Sequence, residues 1–171
     1  MFNRNKVKKI KKQLSFCGEG TFIHPTVIIG NPEKVEIGKY VHLQMDCKLF
    51  GQGGGISIGD GTIFAHGVEI YARNHMYDDE YLQSIPYDSR FIEKKVTVGK
   101  AVWVGANSMI MAGVTINDGA VVAAGSVVTK NVPKCAIVGG NPARVLKYRD
   151  YEQFDNLLSN EEYYIKKKLK I

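Results

Sequence analysis

The chain has 171 residues, 44% of them hydrophobic, and a formal net charge of +6. This size predicts one domain, and no apolar run approaches the length of a membrane span or forms a signal peptide. The cysteines Cys17, Cys47 and Cys135 lack metal-ligand spacing, so we expect reduced thiols in a cytoplasmic protein.

Residues 1–20 form a basic segment that the sequence predicts to be helical. Val7, Ile10 and Leu14 recur at helical spacing among five lysines and Arg4. Such a helix either touches an anionic membrane surface or caps the domain with solvated charges. Capping is favoured, because one short helix rarely anchors a protein alone. Nucleic acid is not expected, since the basic runs lack interleaved aromatic residues.

An apolar residue recurs every six positions in the middle of the chain. These anchors are Val98, Val104, Ile110, Ile116, Val122 and Val128. Three positions later come mainly Gly and Asn, which tolerate the positive φ of a corner, and four positions later come small or β-branched residues. This period excludes an ordinary helix. Weaker runs continue it upstream, so residues 21–133 are predicted to form an all-β parallel β-helix.

The period disappears between Ala72 and Lys95, where Asn74, His75, Asp78 and Asp79 lie. A long interruption in a solenoid predicts a loop ejected from one corner, here at about residues 75–95, and such loops often carry function. Residues 134–171 are predicted to contain an exit turn at 139–142 and then helix from about Tyr148, with a second helix start at Ser159 or Asn160; this segment is expected to cap the open end of the solenoid.

Three segments resemble the hexapeptide-repeat acyltransferases. They are residues 96–106 (VTVGKAVWVGA), 123–130 (AAGSVVTK) and 139–144 (GGNPAR). The chain is most similar to the branch of galactoside and maltose O-acetyltransferases and of sugar O-acetyltransferases from polysaccharide pathways. The resemblance implies left-handed coiling, acetyl-CoA as acyl donor, no metal, and a homotrimer with sites between subunits.

We therefore expect an acetyl-CoA-dependent O-acetyltransferase that acts on a saccharide hydroxyl, in surface-glycan biosynthesis. An N-acetyltransferase of an amino sugar and a non-catalytic β-helical assembly protein are the alternatives. The β-helical carbonic anhydrases are similar in fold but bind zinc with three histidines. The spacing of His42, His66 and His75 does not match theirs.

Acetyl transfer to a hydroxyl requires a base, stabilisation of the thioester oxygen, and close placement of both substrates. A neutral histidine suits the first task, because its ordinary pKa is about 6.5. The resemblance implies that the base is His75. Its orienting carboxylate is left open among Glu69, Asp78 and Asp79, and Asn74 either binds the acceptor or shapes a turn.

The resemblance also implies the donor site. Lys130, Arg144 and Lys147 match positions that contact the cofactor, and cations suit its phosphates. Ala124 and Thr129 match positions along the pantetheine arm. Ala106 belongs to the same donor site, but relatives often have Ser there, so any hydrogen bond to the cofactor at Ala106 must come from the backbone. Trp103 is expected to border the cofactor or to pack on a neighbouring subunit.

Overall fold

The structure of the protein is a computed structural model that describes residues 4–170. The first three residues of the predicted segment 1–20 and the last residue of 134–171 lie outside the described residues. In chain order the elements are α1 (Arg4–Gln13), β1 (Phe16–Cys17), β2 (Phe22–Ile23), β3 (Ile28–Gly30), a 3-10 turn (Pro32–Lys34), β4 (Val35–Ile37), β5 (His42–Leu43), β6 (Lys48–Phe50), β7 (Ile56–Ile58), β8 (Ile63–Phe64), β9 (Glu69–Tyr71), β10 (Arg73–His75), β11 (Phe91–Glu93), β12 (Val96–Val98), β13 (Trp103–Val104), β14 (Met109–Ile110), β15 (Thr115–Ile116), β16 (Val121–Val122), β17 (Val127–Val128), β18 (Ala136–Gly139), β19 (Arg144–Tyr148), α2 (Tyr151–Ser159) and α3 (Tyr164–Leu169).

Three sheets enclose the core, and each coil adds one short strand to each sheet. Sheet A has the order β1-β4-β7-β12-β15, sheet B the order β2-β5-β8-β13-β16-β18-β19, and sheet C the order β3-β6-β9-β14-β17. All neighbours within them are parallel except β18 and β19. We call the turns between sheets corner AB, corner BC and corner CA. This architecture confirms the predicted all-β parallel β-helix with helical termini.

Each six-residue repeat forms one side of a triangular coil, that is, one short strand and the corner that follows it. All six anchors are at most 1% exposed, so they form stacked layers inside the solenoid. Val104, for example, pairs with Phe64 of the coil before and with Val122 of the coil after. The corner residues Ala101 and Asn107 have φ of 50° and 56°, as the turn requires. Asn131 differs, because its backbone is not left-handed.

The coil extends beyond the predicted range of 21–133 at both ends. Its first strand, Phe16–Cys17, pairs with β4, and its last parallel strand, Ala136–Gly139, pairs with β16. A change in coil length hides the last strand from the sequence pattern. Val104 and its partner Val122 are 18 residues apart, whereas Val122 and its partner Val138 are 16 apart.

Helix α1 covers the open end of the first coil. Leu14 is 8% exposed and belongs to the main core, and Val7 and Ile10 pack against that core. Val7 and Ile10 share one face of α1 and Leu14 follows the helix directly, so Lys8, Lys9 and Lys12 remain exposed.

The C-terminal segment differs from the predicted capping helix. The chain first returns as β19, antiparallel to β18, and two helices then lie along corner AB instead of over the open end. Glycine makes this packing possible. A Cβ on Gly61 would lie 2.1 Å from the ring of Tyr163, and one on Gly119 would lie 2.5 Å from the ring of Phe154.

No helix within residues 4–170 is long and apolar enough to cross a membrane. The three cysteines are free thiols, and burial raises the pKa of Cys47 to about 11. Cys47 is therefore a protonated, inert core residue at neutral pH.

Candidate active site

The ejected loop leaves the solenoid at corner CA, between β9 of the third coil and β12 of the fourth. Strands β10 and β11 form an antiparallel hairpin at its base, in which His75 is paired with Phe91. The hairpin holds His75 close to the solenoid wall, at the start of the loop. The interruption in the period predicted this loop, but not the hairpin.

The imidazole of His75 packs against two aromatic rings. Its ring centroid lies 3.9 Å from that of Tyr87 and 5.0 Å from that of Phe91. The backbone N–H of His75 donates to Oδ1 of Asn74 at 2.9 Å, so Asn74 shapes the chain here. Nδ1 of His75 is buried, and no group of the described protomer bonds to it. Buried polar atoms are nearly always satisfied, so the unpaired Nδ1 singles out His75 among the described side chains.

None of the three candidate carboxylates orients the imidazole within the protomer. Glu69 accepts a hydrogen bond from Nζ of Lys48 at 2.7 Å and another from the hydroxyl of Tyr71. These bonds lower the pKa of Glu69, and the bond to Glu69, together with burial, raises the pKa of Tyr71 to about 12. Asp79 pairs with Arg90 at 3.1 Å, and Asp78 is exposed.

An ionic clamp fixes the shape of the loop. The carboxylate of Asp88, only 4% exposed, accepts hydrogen bonds from Nε and Nη2 of Arg90 at 2.9 and 2.7 Å. The same guanidinium reaches Asp79 and the carbonyl of Tyr81. The hydrogen bond from Arg90 lowers the pKa of Asp88. Sequence reasoning missed this clamp and the two rings on His75, because loop residues follow no period.

The predicted donor-site residues Ala106 and Ala124 lie at corner BC in successive coils. The N–H of Gly125 donates to the carbonyl of Ala106 at 2.8 Å, which fixes the two turns one above the other. Beneath them, the buried hydroxyls of Ser108 and Ser126 both donate to the carbonyl of Ala123. Because the outward side chains are single methyl groups, this edge can accept an extended chain.

Lys130 and Arg144 line one shallow cavity of about 160 Å³ at the last coils. Both side chains belong to exposed residues, as does Thr129, which precedes Lys130 at corner CA. The cavity therefore brings together two cations that fit the phosphates of the expected donor.

Lys147 and Trp103 lie on a different surface, the outer face of sheet B. Across the neighbouring strands of this sheet, Trp103 is paired with Val121, Val121 with Ile137, and Ile137 with Lys147. Trp103 is 56% exposed. The predicted donor residues thus fall into three groups, which lie at corner BC, at the cavity of the last coils, and on the outer face of sheet B. The first and the third of these places are adjacent.

A single protomer does not bring His75 to the donor residues of corner BC. His75 lies beyond the C-terminal end of β9 at corner CA, whereas Ala106 and Ala124 precede β14 and β17. Because β9, β14 and β17 are parallel in sheet C, corner BC lies at the N-terminal ends of these strands and corner CA at their C-terminal ends. Among residues 4–170, no group of three His, Cys, Asp or Glu side chains is placed to hold a metal ion.

The chain matches known proteins in both sequence and structure. The bacterial transferase hexapeptide family (six repeats) matches residues 95–130. Nodulation protein L of Rhizobium meliloti is 37% identical over 136 residues, which make up 80% of this chain and 72% of that protein. Galactoside O-acetyltransferase of Escherichia coli is 28% identical over 138 residues, 81% of this chain and 66% of that protein. The chain thus spans about two thirds of the length of these relatives.

Two solved structures are also similar. An acetyltransferase of Vibrio cholerae, complexed with acetyl coenzyme A, has a TM-score of 0.76 at 29% identity, covering 85% of this chain and 78% of that one. A variant of AntD, an N-acyltransferase from Bacillus cereus, is bound to dTDP-4-amino-4,6-dideoxyglucose and coenzyme A. It has a TM-score of 0.72 at 25% identity, and the match covers 94% of this chain and 96% of that one. Sequence, repeat and fold agree: the chain belongs to the hexapeptide-repeat acyltransferase family.

Proposed function

We propose that the protein is an acetyl-CoA-dependent O-acetyltransferase whose acceptor is a saccharide hydroxyl, in a cytoplasmic step of surface-glycan biosynthesis. The observation that carries the proposal is the placement of the His75 side chain. Its imidazole is held at the mouth of the ejected loop, with a buried Nδ1 that has no partner in the described protomer. An imidazole fixed by aromatic stacking at the start of this loop fits a general base, and substrate and a second subunit complete the site around it in this proposal.

The site is completed by a neighbouring copy of the chain in this proposal. Corner BC, with Ala106 and Ala124, and corner CA, with His75, lie at opposite ends of the strands of sheet C. If sheet C of each protomer faces a threefold axis, corner BC of one protomer meets corner CA of the next. A homotrimer then has three equivalent sites.

His75 acts as general base in the proposed reaction. It takes the proton of the acceptor hydroxyl while the hydroxyl oxygen attacks the carbonyl carbon of the acetyl thioester. As the carbon–sulfur bond breaks, the imidazolium returns the proton to the leaving thiolate, which gives the acetyl ester and free coenzyme A. Tyr87 and the hairpin hold the ring in place throughout.

The donor is held at three places. Lys130 and Arg144 face its phosphates, the methyl groups of Ala106 and Ala124 border the pantetheine arm, and Thr129 is expected beside that arm. Trp103 and Lys147 line the adjoining face of sheet B. Asn74 is proposed to contact the acceptor through its amide nitrogen, because its Oδ1 is already bonded to the backbone of His75.

An N-acetyltransferase of an amino sugar is the second candidate. Its support is the match with the AntD variant, which covers 96% of that chain against 66% of the galactoside O-acetyltransferase. The same base and donor groove would serve an amine acceptor.

Release of the coenzyme A thiol, measured over a matched panel of sugars and amino sugars, tests the proposal. We expect turnover with a neutral sugar and no amine product. Turnover confined to amino sugars would favour the second candidate. Binding of acetyl-CoA without turnover on any acceptor would favour the assembly protein, and a stable monomer by light scattering would contradict the shared site.

A further inference from the structure

The positive charge of the chain is concentrated at its two ends. Ten of its 23 Lys and Arg residues lie in residues 4–12 and 166–170. The other 13 are outnumbered by 17 Asp and Glu residues. The termini therefore account for the whole net positive charge, and the rest of the solenoid is slightly acidic.

The fold brings the two termini together at the first coil. Nζ of Lys11, on α1, donates a hydrogen bond to the carbonyl of Thr21. On the other side, a Cβ built on the adjacent Gly20 would lie 3.6 Å from Cδ1 of Leu169, at the end of α3. The basic parts of α1 and α3 thus flank the same turn of corner AB, although they are far apart in sequence.

Five lysines at this place are exposed and available, namely Lys8, Lys9, Lys12, Lys168 and Lys170. No acidic side chain of residues 4–170 forms an ion pair with any of them. We call this set the basic end.

The α1 lysines of the basic end point away from the solenoid. Residues advance by about 100° along a helix, so Lys8, Lys9 and Lys12 share the face opposite Val7 and Ile10. That face is directed outwards from the open end of the coil, which α1 covers.

Exposed apolar groups accompany these cations. Phe22 is 43% exposed and Leu169 is 48% exposed. A groove of about 450 Å³, lined by Phe22 with Val7, Ile23 and Pro25, lies between α1 and the first coil and is rimmed by Lys8. Lysines beside exposed apolar side chains are the combination that binds the interface of an anionic bilayer.

We propose that the basic end docks the protein on an anionic membrane surface. The apolar groups favour a bilayer over a nucleic acid, whose backbone would engage the lysines alone. In a cyclic trimer with its axis along the coils, three basic ends face the same side and bind together, which overcomes the weak affinity of one short helix. The proposal does not depend on the acyl transfer reaction.

Sedimentation with lipid vesicles tests this proposal on the full chain. We expect binding to vesicles of phosphatidylglycerol and phosphatidylcholine at about 0.1 M salt, little binding to phosphatidylcholine alone, and release at about 1 M salt. The variant Lys9→Glu/Lys12→Glu should bind at least about tenfold more weakly. Lys94→Glu/Lys95→Glu, with the same change of charge at exposed positions elsewhere, should bind like the wild type.

Circular dichroism and light scattering should show that both double variants fold and assemble normally, since all four lysines are exposed. Absence of binding to the anionic vesicles would overturn the proposal, and so would equal losses in the two variants. Tighter binding to a single-stranded RNA oligonucleotide, which vesicles fail to displace, would assign the basic end to nucleic acid instead.

Discussion

The imidazole of His75 stacks on the phenol ring of Tyr87, with the ring centroids 3.9 Å apart and the planes inclined by 26°. The two residues come from opposite ends of the ejected loop, and Tyr87 is still 46% exposed. The loop therefore returns over the proposed base, and one ring holds the other. This contact makes Tyr87 a positioning residue.

Replacing Tyr87 tests this role. We expect Tyr87→Ala to lower kcat up to about tenfold, because an aromatic pair contributes about 0.5–1.5 kcal/mol beyond burial. Tyr87→Phe keeps the stack and should stay close to wild type. Steady-state kinetics with saturating acetyl-CoA distinguishes the two. Equal losses in both variants would instead indicate a role for the hydroxyl.

The loop clamp gives a prediction for pH. Arg90 lowers the pKa of Asp88 in the folded protein, so the clamp stabilises the loop fully above the unfolded carboxyl pKa of about 3.9 and is lost as pH falls through the lower folded value. Protease resistance of the loop should therefore be constant from about pH 5 to 8.

At neutral pH, Asp88→Asn should open the same loop, because a neutral amide loses the ion pair with Arg90 and has one acceptor oxygen instead of two. We expect cleavage within residues 76–90 to speed up and turnover to fall several-fold. Asp78→Asn, which changes an exposed carboxylate of the same loop, is the matched control. Identical cleavage of the two variants would contradict the clamp.

The donor cations should behave as two independent groups. Lys130→Ala and Arg144→Ala should each weaken acetyl-CoA binding by about tenfold or more, the scale of one charged hydrogen bond. Because these residues share a cavity, their effects should not add, whereas Lys147→Ala should add to either one. Calorimetric titration of the single and double variants measures this. Unchanged affinity in both Lys130→Ala and Arg144→Ala would remove the phosphate assignment.

The glycines of the corners provide a test of the packing of the C-terminal helices. Gly61 and Gly125 have nearly equal φ, 68° and 70°, but a Cβ on Gly61 would strike Tyr163 while one on Gly125 would meet nothing within 4 Å. Gly125→Ala should cost about 1–2 kcal/mol in unfolding free energy for the left-handed backbone alone. Gly61→Ala should cost clearly more, as urea unfolding would measure. Equal costs would show that α3 does not depend on this contact.

The sequence period predicted the interior of the solenoid because every coil has the same steric requirements. A position such as Ile110 needs an apolar side chain that fills the core, and a position such as Asn107 needs a residue that tolerates positive φ. The predicted end of the coil was wrong because the number of residues per coil changes there, while the types of residue stay the same. The coil of 16 residues, from Val122 to Val138, concealed β18, and the strand β19 gave no signal, since its residues are all exposed.

The site was harder to predict than the fold. The position of His75 followed from the interruption in the repeat, together with the family resemblance. Tyr87 and Arg90 lie in a stretch without periodicity, so their contacts depend on how the loop folds back. The separation of Lys147 from Lys130 depends on the antiparallel return of β19, which no local pattern encodes.

The His75→Ala variant tests the central claim most directly. With the true acceptor, it should keep the proposed trimer and the expected rise in melting temperature with acetyl-CoA, but lose turnover by about a hundredfold or more. His42→Ala and His66→Ala should leave turnover close to wild type. Near-wild-type turnover in His75→Ala would contradict the mechanism and support the non-catalytic alternative.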